Sequence, residues 1–134
     1  MVVHDPHDPD LIAFWTERHL CTFTTLRADG TPHVVPVGVT YDHETGLARV
    51  ITNGTSVKAR HLKSTPGPVA ACQVDRARWS TIEGTGRVSR DPADVAEAVR
   101  RYAERYRQPR PNNERVAVII EVTRILGSAR LTPR

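Results

Sequence analysis

Six short runs of strand-forming residues, separated by turn signals, constrain this chain to an antiparallel β fold. Several runs alternate apolar and polar residues with the period of two that a half-buried strand requires. Asp29-Gly30 and the residues from Asp42 to Gly46 are turn signals that fold neighbouring runs into hairpins. The predicted strands are Leu20–Arg27, Pro32–Tyr41, Leu47–Thr52, Val69–Asp75, Trp79–Ser89 and Arg115–Arg124, with Ile125–Leu131 extending or pairing the last.

Three residues or runs predict particular strand shapes. Pro36 cannot donate a backbone hydrogen bond, so the second strand lies at a sheet edge or contains a bulge. Gly84 and Gly86 predict strong bending of the fifth strand. The run Arg115–Arg124 is apolar at nearly every position, which indicates a strand buried on both faces.

Three helices are predicted between the strands. The first and third start with a capping aspartate followed by proline, a residue that suits the first helical position. The predicted helices run from Pro9 to about Arg18, over Ser56–Lys63, and from Pro92 to the loop that begins at Gln108.

Few helices among six or seven strands favour a closed antiparallel barrel over a parallel sheet. The predicted fold class is therefore mainly β (α+β), a barrel of six to seven strands with peripheral helices. Because no repeat or linker divides the chain, residues 1–134 are expected to form one domain, with residues 1–7 as a flexible tail.

The charge balance favours an anionic partner. The chain has 19 lysines and arginines against 15 aspartates and glutamates, a formal net charge of +4. Of these basic residues, 17 are arginines, which bind phosphates and carboxylates through two donors at once. We do not expect a nucleic-acid partner, because there is no low-complexity basic tail and aromatic residues make up only 5% of the chain.

Other features bear on location and metals. No run approaches the roughly 18 consecutive apolar residues of a membrane span. The N-terminus has no signal-peptide pattern, so we expect a cytoplasmic protein without a membrane partner. Cys21 and Cys72 lack metal-like spacing and are expected to be reduced, buried thiols. His4 and His7 are expected to be solvated, and no metal is expected.

The segment from Arg49 to Lys63 is the strongest candidate for a ligand site. A strand leads there through Asn53-Gly54-Thr55 into a helix start, where backbone N–H groups and the positive end of the helix dipole favour an anion. Together with the basic side chains, the Thr52 and Ser56 hydroxyls would complete a phosphate cradle. In the alternative interpretation, Ser56 only caps a helix with a solvated basic face, and spacing alone does not separate the two.

A second candidate is Trp79, which stands beside Arg76 and Arg78. A tryptophan at a strand start can cover an aromatic ligand, and the neighbouring arginines can hold its acidic groups. Equally, Trp79 fits a core or dimer-interface position. The chain contains no nucleotide-binding glycine motif, no phosphate loop with a lysine and no zinc-type histidine pair.

Several segments stand in a specific order and spacing. They are Phe23–Gly38, Ala48–Thr52, Ser56–Ala59, Cys72–Asp75, Ala77–Trp79, Arg101–Arg107 and Leu126–Ala129. With them the chain resembles the flavin/deazaflavin oxidoreductase superfamily, which has the pyridoxamine-phosphate-oxidase-like split β-barrel with Greek-key connections. More narrowly, it is similar to the actinobacterial branch that contains coenzyme F420-dependent biliverdin reductases.

The resemblance implies a homodimer with its two cofactor sites between the subunits. It assigns the cofactor phosphate and tail to two segments, and the deazaflavin ring to the strand that contains His33, Val35 and Pro36. Gln73 and Trp79 would close the site. The residues assigned to the phosphate and tail are Arg49, Val50, Ile51, Thr52, Ser56, Lys58, Ala59 and Arg60. Because related branches have arginine where this chain has Ser56, the phosphate would depend more on Lys58 and Arg60.

The implied activity is hydride transfer from reduced coenzyme F420 to biliverdin, a linear tetrapyrrole, which gives bilirubin. Arg78 would pair with a propionate of the substrate, and His33 is a candidate proton donor. Two alternatives remain open. One is an FMN-dependent oxidase or reductase of the pyridoxamine-phosphate type, and the other is a non-catalytic flavin- or haem-binding protein.

Overall fold

The computed structural model describes residues 1–132 and contains eight strands and three helices within them. The helices are α1 (Pro9–Thr16), α2 (Val57–His61) and α3 (Pro92–Arg105). The strands are β1 (Val2–Val3), β2 (Cys21–Leu26), β3 (Pro32–Val37), β4 (Thr40–Asp42), β5 (Leu47–Asn53), β6 (Gly67–Asp75), β7 (Arg78–Ser89) and β8 (Arg115–Gly127).

The strands form one antiparallel sheet in the order β3-β2-β6-β7-β8-β5-β4, with β1 paired to β8. The antiparallel prediction is confirmed, but the expectation of a closed barrel is wrong. In residues 1–132 the edge strands β3 and β4 do not pair with each other. They are successive parts of one segment, interrupted by Gly38 and Val39, and the chain cannot form a ladder with its own continuation. The sheet instead curls until both edges meet at this bend, as in a split barrel.

The strand shapes follow the sequence predictions. Pro36 lies in an edge strand, where its missing N–H leaves no hydrogen bond unmade on the open side. The register of β7 against β8 shifts between Glu83 and Gly84, so the fifth predicted strand does bend. A Cβ at Gly84 would lie 2.1 Å from the Glu121 carbonyl oxygen, which explains why only glycine fits this bulge.

The curled sheet encloses the main hydrophobic core, and α1 closes one side of it. Leu11 and Phe14 of α1, Phe23 of β2 and Ile82 of β7 are each completely buried there. A second cluster lies on the other face of β8, where Ala98 of α3 packs against Ala117 and Ile119. Residues 116–120 of β8 are all buried, so the prediction of burial on both faces is confirmed.

Some elements differ from the predictions. The run Pro32–Tyr41, predicted as one strand, is divided at Gly38 and Val39 into β3 and β4. The first helix ends at Thr16, because Glu17 turns to an extended backbone conformation. The flexible tail expected at residues 1–7 instead contains β1, in which Val2 and Val3 pair with Gly127 and Leu126. No helix among residues 1–132 is both long and apolar enough to cross a membrane.

Candidate functional site

A cleft of about 330 Å³ lies where the β3–β4 bend, the end of β5, α2 and the segment after α3 meet. Four of the residues predicted to bind a cofactor line it: Pro36, Ile51, Thr52 and Lys58. The full lining is Pro36, Val37, Gly38, Ile51, Thr52, Asn53, Lys58, Tyr102, Pro109, Asn112 and Arg115. The structure therefore brings the predicted strand-to-helix segment and part of the predicted ring-binding strand to one cavity.

A tight turn positions the basic residue of α2 in this cleft. The Asn53 side-chain oxygen accepts hydrogen bonds from the Thr55 backbone N–H (2.9 Å) and hydroxyl (2.8 Å). The Ser56 hydroxyl oxygen accepts from the Ala59 N–H at 3.2 Å, and the Thr52 hydroxyl lies 3.0 Å from it. The interpretation of Ser56 as a helix cap is thus confirmed, and the turn places Lys58 beside the end of β5.

The cleft carries uncompensated positive charge. Lys58 and Arg115 line it, no carboxylate does, and neither residue forms a salt bridge within residues 1–132. Burial lowers the pKa of Lys58, since a partly dry environment penalises the ammonium. Among the described residues, the Arg115 guanidinium donates only to the Arg110 carbonyl oxygen, at 2.7 Å. A bound anion would stabilise both cations, so the cleft is suited to a phosphate or carboxylate ligand.

Tyr102 of α3 and Tyr106, the residue after α3 ends, pack against the β3–β4 bend, and Tyr102 lines the cleft. The Tyr102 and Tyr106 ring centroids are 5.0 Å apart, and a Cβ at Gly38 would come within 2.8 Å of the Tyr102 Cε2 atom. The Tyr106 hydroxyl donates to the His19 carbonyl oxygen at 2.6 Å and accepts from the Val39 N–H at 3.1 Å. Burial raises the pKa of Tyr106 to about 12. The sequence analysis did not predict Tyr102 as a site residue.

Two other β5 residues of the predicted cradle, Arg49 and Val50, do not line the cleft. Arg49 lies on the α3 side of β5 near Asp42 and Arg101, and its buried Nη1 has no hydrogen-bond partner within residues 1–132. Burial, assisted by Arg101, lowers the pKa of Arg49. Val50 points into the barrel core and is 1% exposed, because side chains alternate along β5.

Ala59 and Arg60 of α2 lie outside the cleft lining for opposite reasons. Ala59 is 2% exposed and lies on the buried side of α2, whereas Arg60 is exposed to solvent. Neither is among the residues that line the cavity. Of the basic residues predicted for the cradle, Lys58 alone reaches it.

His33 and Val35 point towards the barrel interior. They pair across the ladder with Thr25 and Phe23, both completely buried, and paired residues share a face of the sheet. The His33 ring lies edge-on to His61 of α2, with centroids 5.4 Å apart, and His61 Nδ1 is 2.7 Å from the Thr25 hydroxyl. This contact fastens α2, and with it Lys58, to β2 and β3.

Gln73 and Arg78 have their polar groups occupied within the chain. The Gln73 amide is 1% exposed; it donates to the Phe14 carbonyl oxygen at 2.8 Å and accepts from Arg105 at 2.7 Å. The Arg78 guanidinium forms two hydrogen bonds to the Glu17 carboxylate, at 3.0 and 3.1 Å. Arg78 also pairs with Asp75. Neither residue lines the cleft, so the structure of one chain does not bring them to Lys58.

Trp79 and a nearby charged cluster also lie outside the cleft lining. Trp79 is half-buried at the start of β7, with its backbone N–H on the Ser128 hydroxyl at 3.1 Å, and it does not line the cleft. Glu17, His19 and Asp75 offer ligand atoms within 4.8 Å of one another, a spacing compatible with a metal. The Arg78 guanidinium already neutralises both carboxylates, so this cluster is an ion-pair network.

Known proteins resemble this chain in sequence and in fold. The chain is 50% identical over 125 residues to the F420H2-dependent biliverdin reductase of Mycobacterium tuberculosis (strain CDC 1551 / Oshkosh), with 93% of this chain and 90% of the relative covered. A conserved hypothetical protein of Mycobacterium tuberculosis superposes with a TM-score of 0.77 at 22% identity, covering 95% of this chain and 89% of that one. An F420 reductase superposes with a TM-score of 0.68 at 21% identity, covering 85% and 94%.

The two solved structures support the split-barrel fold. At 22% and 21% identity they are evidence for the fold alone and not for a shared function. The family model of pyridoxamine 5'-phosphate oxidase matches residues 8–129, nearly all of the described chain. This match includes every residue that lines the cleft. The chain therefore belongs to the pyridoxamine 5'-phosphate oxidase family.

Proposed function

We propose that this protein is a coenzyme F420-dependent reductase that transfers a hydride to an organic acceptor, and that the acceptor is biliverdin. The observation that carries the proposal is the cleft in which Lys58 and Arg115 stand without a carboxylate. An anionic cofactor with a phosphate and a carboxylate tail suits that charge. The half-identical relative is named for this cofactor and this substrate, which supports both parts of the proposal.

Reduced F420, when bound, supplies the hydride. The protein's part is to bind, orient and keep out water. Lys58 and Arg115 would balance the negative charge of the cofactor, and the Thr52 hydroxyl, which donates to the Ser56 hydroxyl oxygen at 3.0 Å, lies beside them. The backbone around Pro36 would form the wall beside the planar ring, because an edge strand leaves that side uncovered.

The other predicted site residues have weaker support. Arg78 could reach a substrate propionate only by giving up its bonds to Glu17 or Asp75. Gln73 would have to leave a buried hydrogen-bond network. Trp79 is half-buried in one chain, and its role in closing the site depends on a partner subunit. The cytoplasmic location stays a prediction.

We also propose that the protein is a homodimer. A groove of about 430 Å³ on the outer face of the sheet is mostly apolar, and exposed Leu26 lines it. A second copy of this chain would cover that surface. The groove is lined by Thr24, Leu26, Pro68, Val69, Ala70, Glu83, Gly84, Thr85 and Thr123. Sedimentation equilibrium would test this, because a monomer mass at all concentrations contradicts the proposal.

Fluorescence titrations with F420 and, separately, with FMN test the cofactor. We expect wild-type protein to bind F420 with a micromolar or lower Kd and FMN much more weakly. Lys58→Ala should weaken F420 binding roughly tenfold or more, because a hydrogen bond to a charged group contributes about 1.5–3 kcal/mol. Lys63→Ala is the matched control: Lys63 is the other lysine of the chain, is exposed and lies outside the cleft.

Each of three results would contradict a different part of the proposal: the cofactor, the site or the acceptor. Tight FMN binding with no F420 binding would move the protein to the flavin-dependent branch. Equal F420 affinity in the two lysine variants would remove the cleft as the cofactor site. F420 binding without oxidation of F420H2 when biliverdin is added would leave biliverdin without support as the acceptor.

A further inference from the structure

The three tyrosines of the chain differ in what their hydroxyl groups contact. The Tyr41 hydroxyl donates to the Pro6 carbonyl oxygen at 3.1 Å, and the Tyr106 hydroxyl donates to the His19 carbonyl oxygen at 2.6 Å. The Tyr102 hydroxyl has no hydrogen-bond partner in the described part of the chain. Tyr102 is also the tyrosine that lines the cleft with Lys58.

The Tyr102 ring is held in place independently of that hydroxyl. It packs on Tyr106 with a centroid distance of 5.0 Å and an interplanar angle of 32°. Its Cε2 atom lies so close to the bend that a Cβ at Gly38 would be only 2.8 Å away. A phenylalanine would make the same contacts, so packing alone does not explain the hydroxyl. Tyr102 lines the cleft, and because its ring is already ordered, its hydroxyl can donate to a ligand there at little further entropic cost.

We propose that Tyr102 is a cofactor-binding residue whose hydroxyl donates a hydrogen bond to an acceptor oxygen of the anionic cofactor held by Lys58 and Arg115. The inference rests on the proposed function for the identity of that cofactor. The neutral donor completes a cleft that otherwise offers two cations and the Thr52 hydroxyl. Because the ring is already ordered, the hydrogen bond forms without a change in the packing of α3.

The test compares Tyr102→Phe with Tyr106→Phe in two measurements. For Tyr102→Phe we expect an unchanged urea midpoint and a Kd for F420 that rises about three- to tenfold, the value of one neutral hydrogen bond. For Tyr106→Phe we expect a lower urea midpoint, because the Val39 N–H and the His19 carbonyl oxygen lose their partner. The pair separates a ligand-facing hydroxyl from a structural one.

Wild-type binding distinguishes failure of this inference from failure of the proposed function. If wild type binds F420 and Tyr102→Phe binds it equally well, the assignment of Tyr102 is overturned while the proposed function stands. If wild type binds FMN instead of F420, the proposed function fails, and the same comparison with FMN tests Tyr102. A lower urea midpoint for Tyr102→Phe that matches Tyr106→Phe would show a structural hydroxyl and would also overturn the assignment.

Discussion

Arg105, near the end of α3, joins three parts of the fold through one guanidinium. Its Nε and Nη2 donate to the Glu17 carbonyl oxygen at 2.9 and 2.8 Å, and Nη2 also donates to the Gln73 side-chain oxygen at 2.7 Å. Its Nη1 donates to the Val39 carbonyl oxygen at the barrel bend. The guanidinium thus fastens the end of α1, strand β6 and the bend to α3.

Replacing Arg105 with methionine keeps the length of the side chain and removes all of these donors. A hydrogen bond from a charged donor contributes about 1.5–3 kcal/mol, and three acceptors are affected. The Gln73 oxygen keeps the weak Cys21 thiol at 3.4 Å. The Tyr106 hydroxyl lies 3.2 Å from the Val39 carbonyl oxygen, but its one proton is donated to the His19 carbonyl oxygen at 2.6 Å. The loss is therefore smaller than the full sum, and we expect Arg105→Met to lower the free energy of unfolding by about 3 kcal/mol.

Urea denaturation followed by circular dichroism measures this change, and a thermal scan should show a Tm lower by about 10 °C for a chain of this size. Arg100→Met is the matched control on the same helix. Arg100 forms ion pairs with Glu97 and Glu104, but its side chain is 53% exposed, and such surface pairs contribute little. We expect a nearly unchanged midpoint for this control. Equal midpoints for the two variants would refute the reasoning.

Two further predictions concern Gly38 at the β3–β4 bend and His61 of α2. Gly38→Ala should destabilise the protein by about 1–3 kcal/mol, because the new methyl group would collide with Tyr102 and Tyr106; an unchanged urea midpoint would contradict this. Burial, with His33 as a second cause, lowers the pKa of His61 below its usual 6.5. The unfolded chain therefore takes up the proton first, so stability is full above about pH 6.5 and falls as the pH drops towards the lower folded value. Urea midpoints at roughly pH 7.5 and 5.5 should differ less in His61→Gln than in wild type, and equal differences would count against this assignment.

Local patterns were sufficient for much of the fold and for the place of the site. Period-two alternation, turn residues and aspartate–proline helix starts each act over a few neighbouring residues, so strands such as Leu47–Asn53 and the start of α3 were predictable within one or two residues. The turn at Asn53 and the helix cap at Ser56 likewise depend on short-range hydrogen bonds. The strand-to-helix segment that was predicted as a ligand site does line a cleft, and its role in binding a cofactor stays a prediction.

The sequence could not decide which cations enter that cavity. Arg49 and Thr52 lie on the same strand as Ile51, but the position of α3 draws the Arg49 side chain towards Asp42. Arg78 appeared free in the sequence, whereas the end of α1 brings Glu17 to within 3.0 Å of it. Such pairings join residues that are far apart in the chain, and periodicity carries no information about them.

The composition of the cleft depended on tertiary structure for the same reason. Arg115 reaches the end of β5 because β8 pairs with β5 and places Arg115 opposite Asn53. Tyr102 comes from the last helix, which packs on β5 and β8. The sequence by itself determined the strands, the turn, the helix start and the sign of the net charge, all of which are local or additive properties. Only the pairing of β8 with β5 and the packing of α3 decided that Lys58, Arg115 and Tyr102 share one cavity.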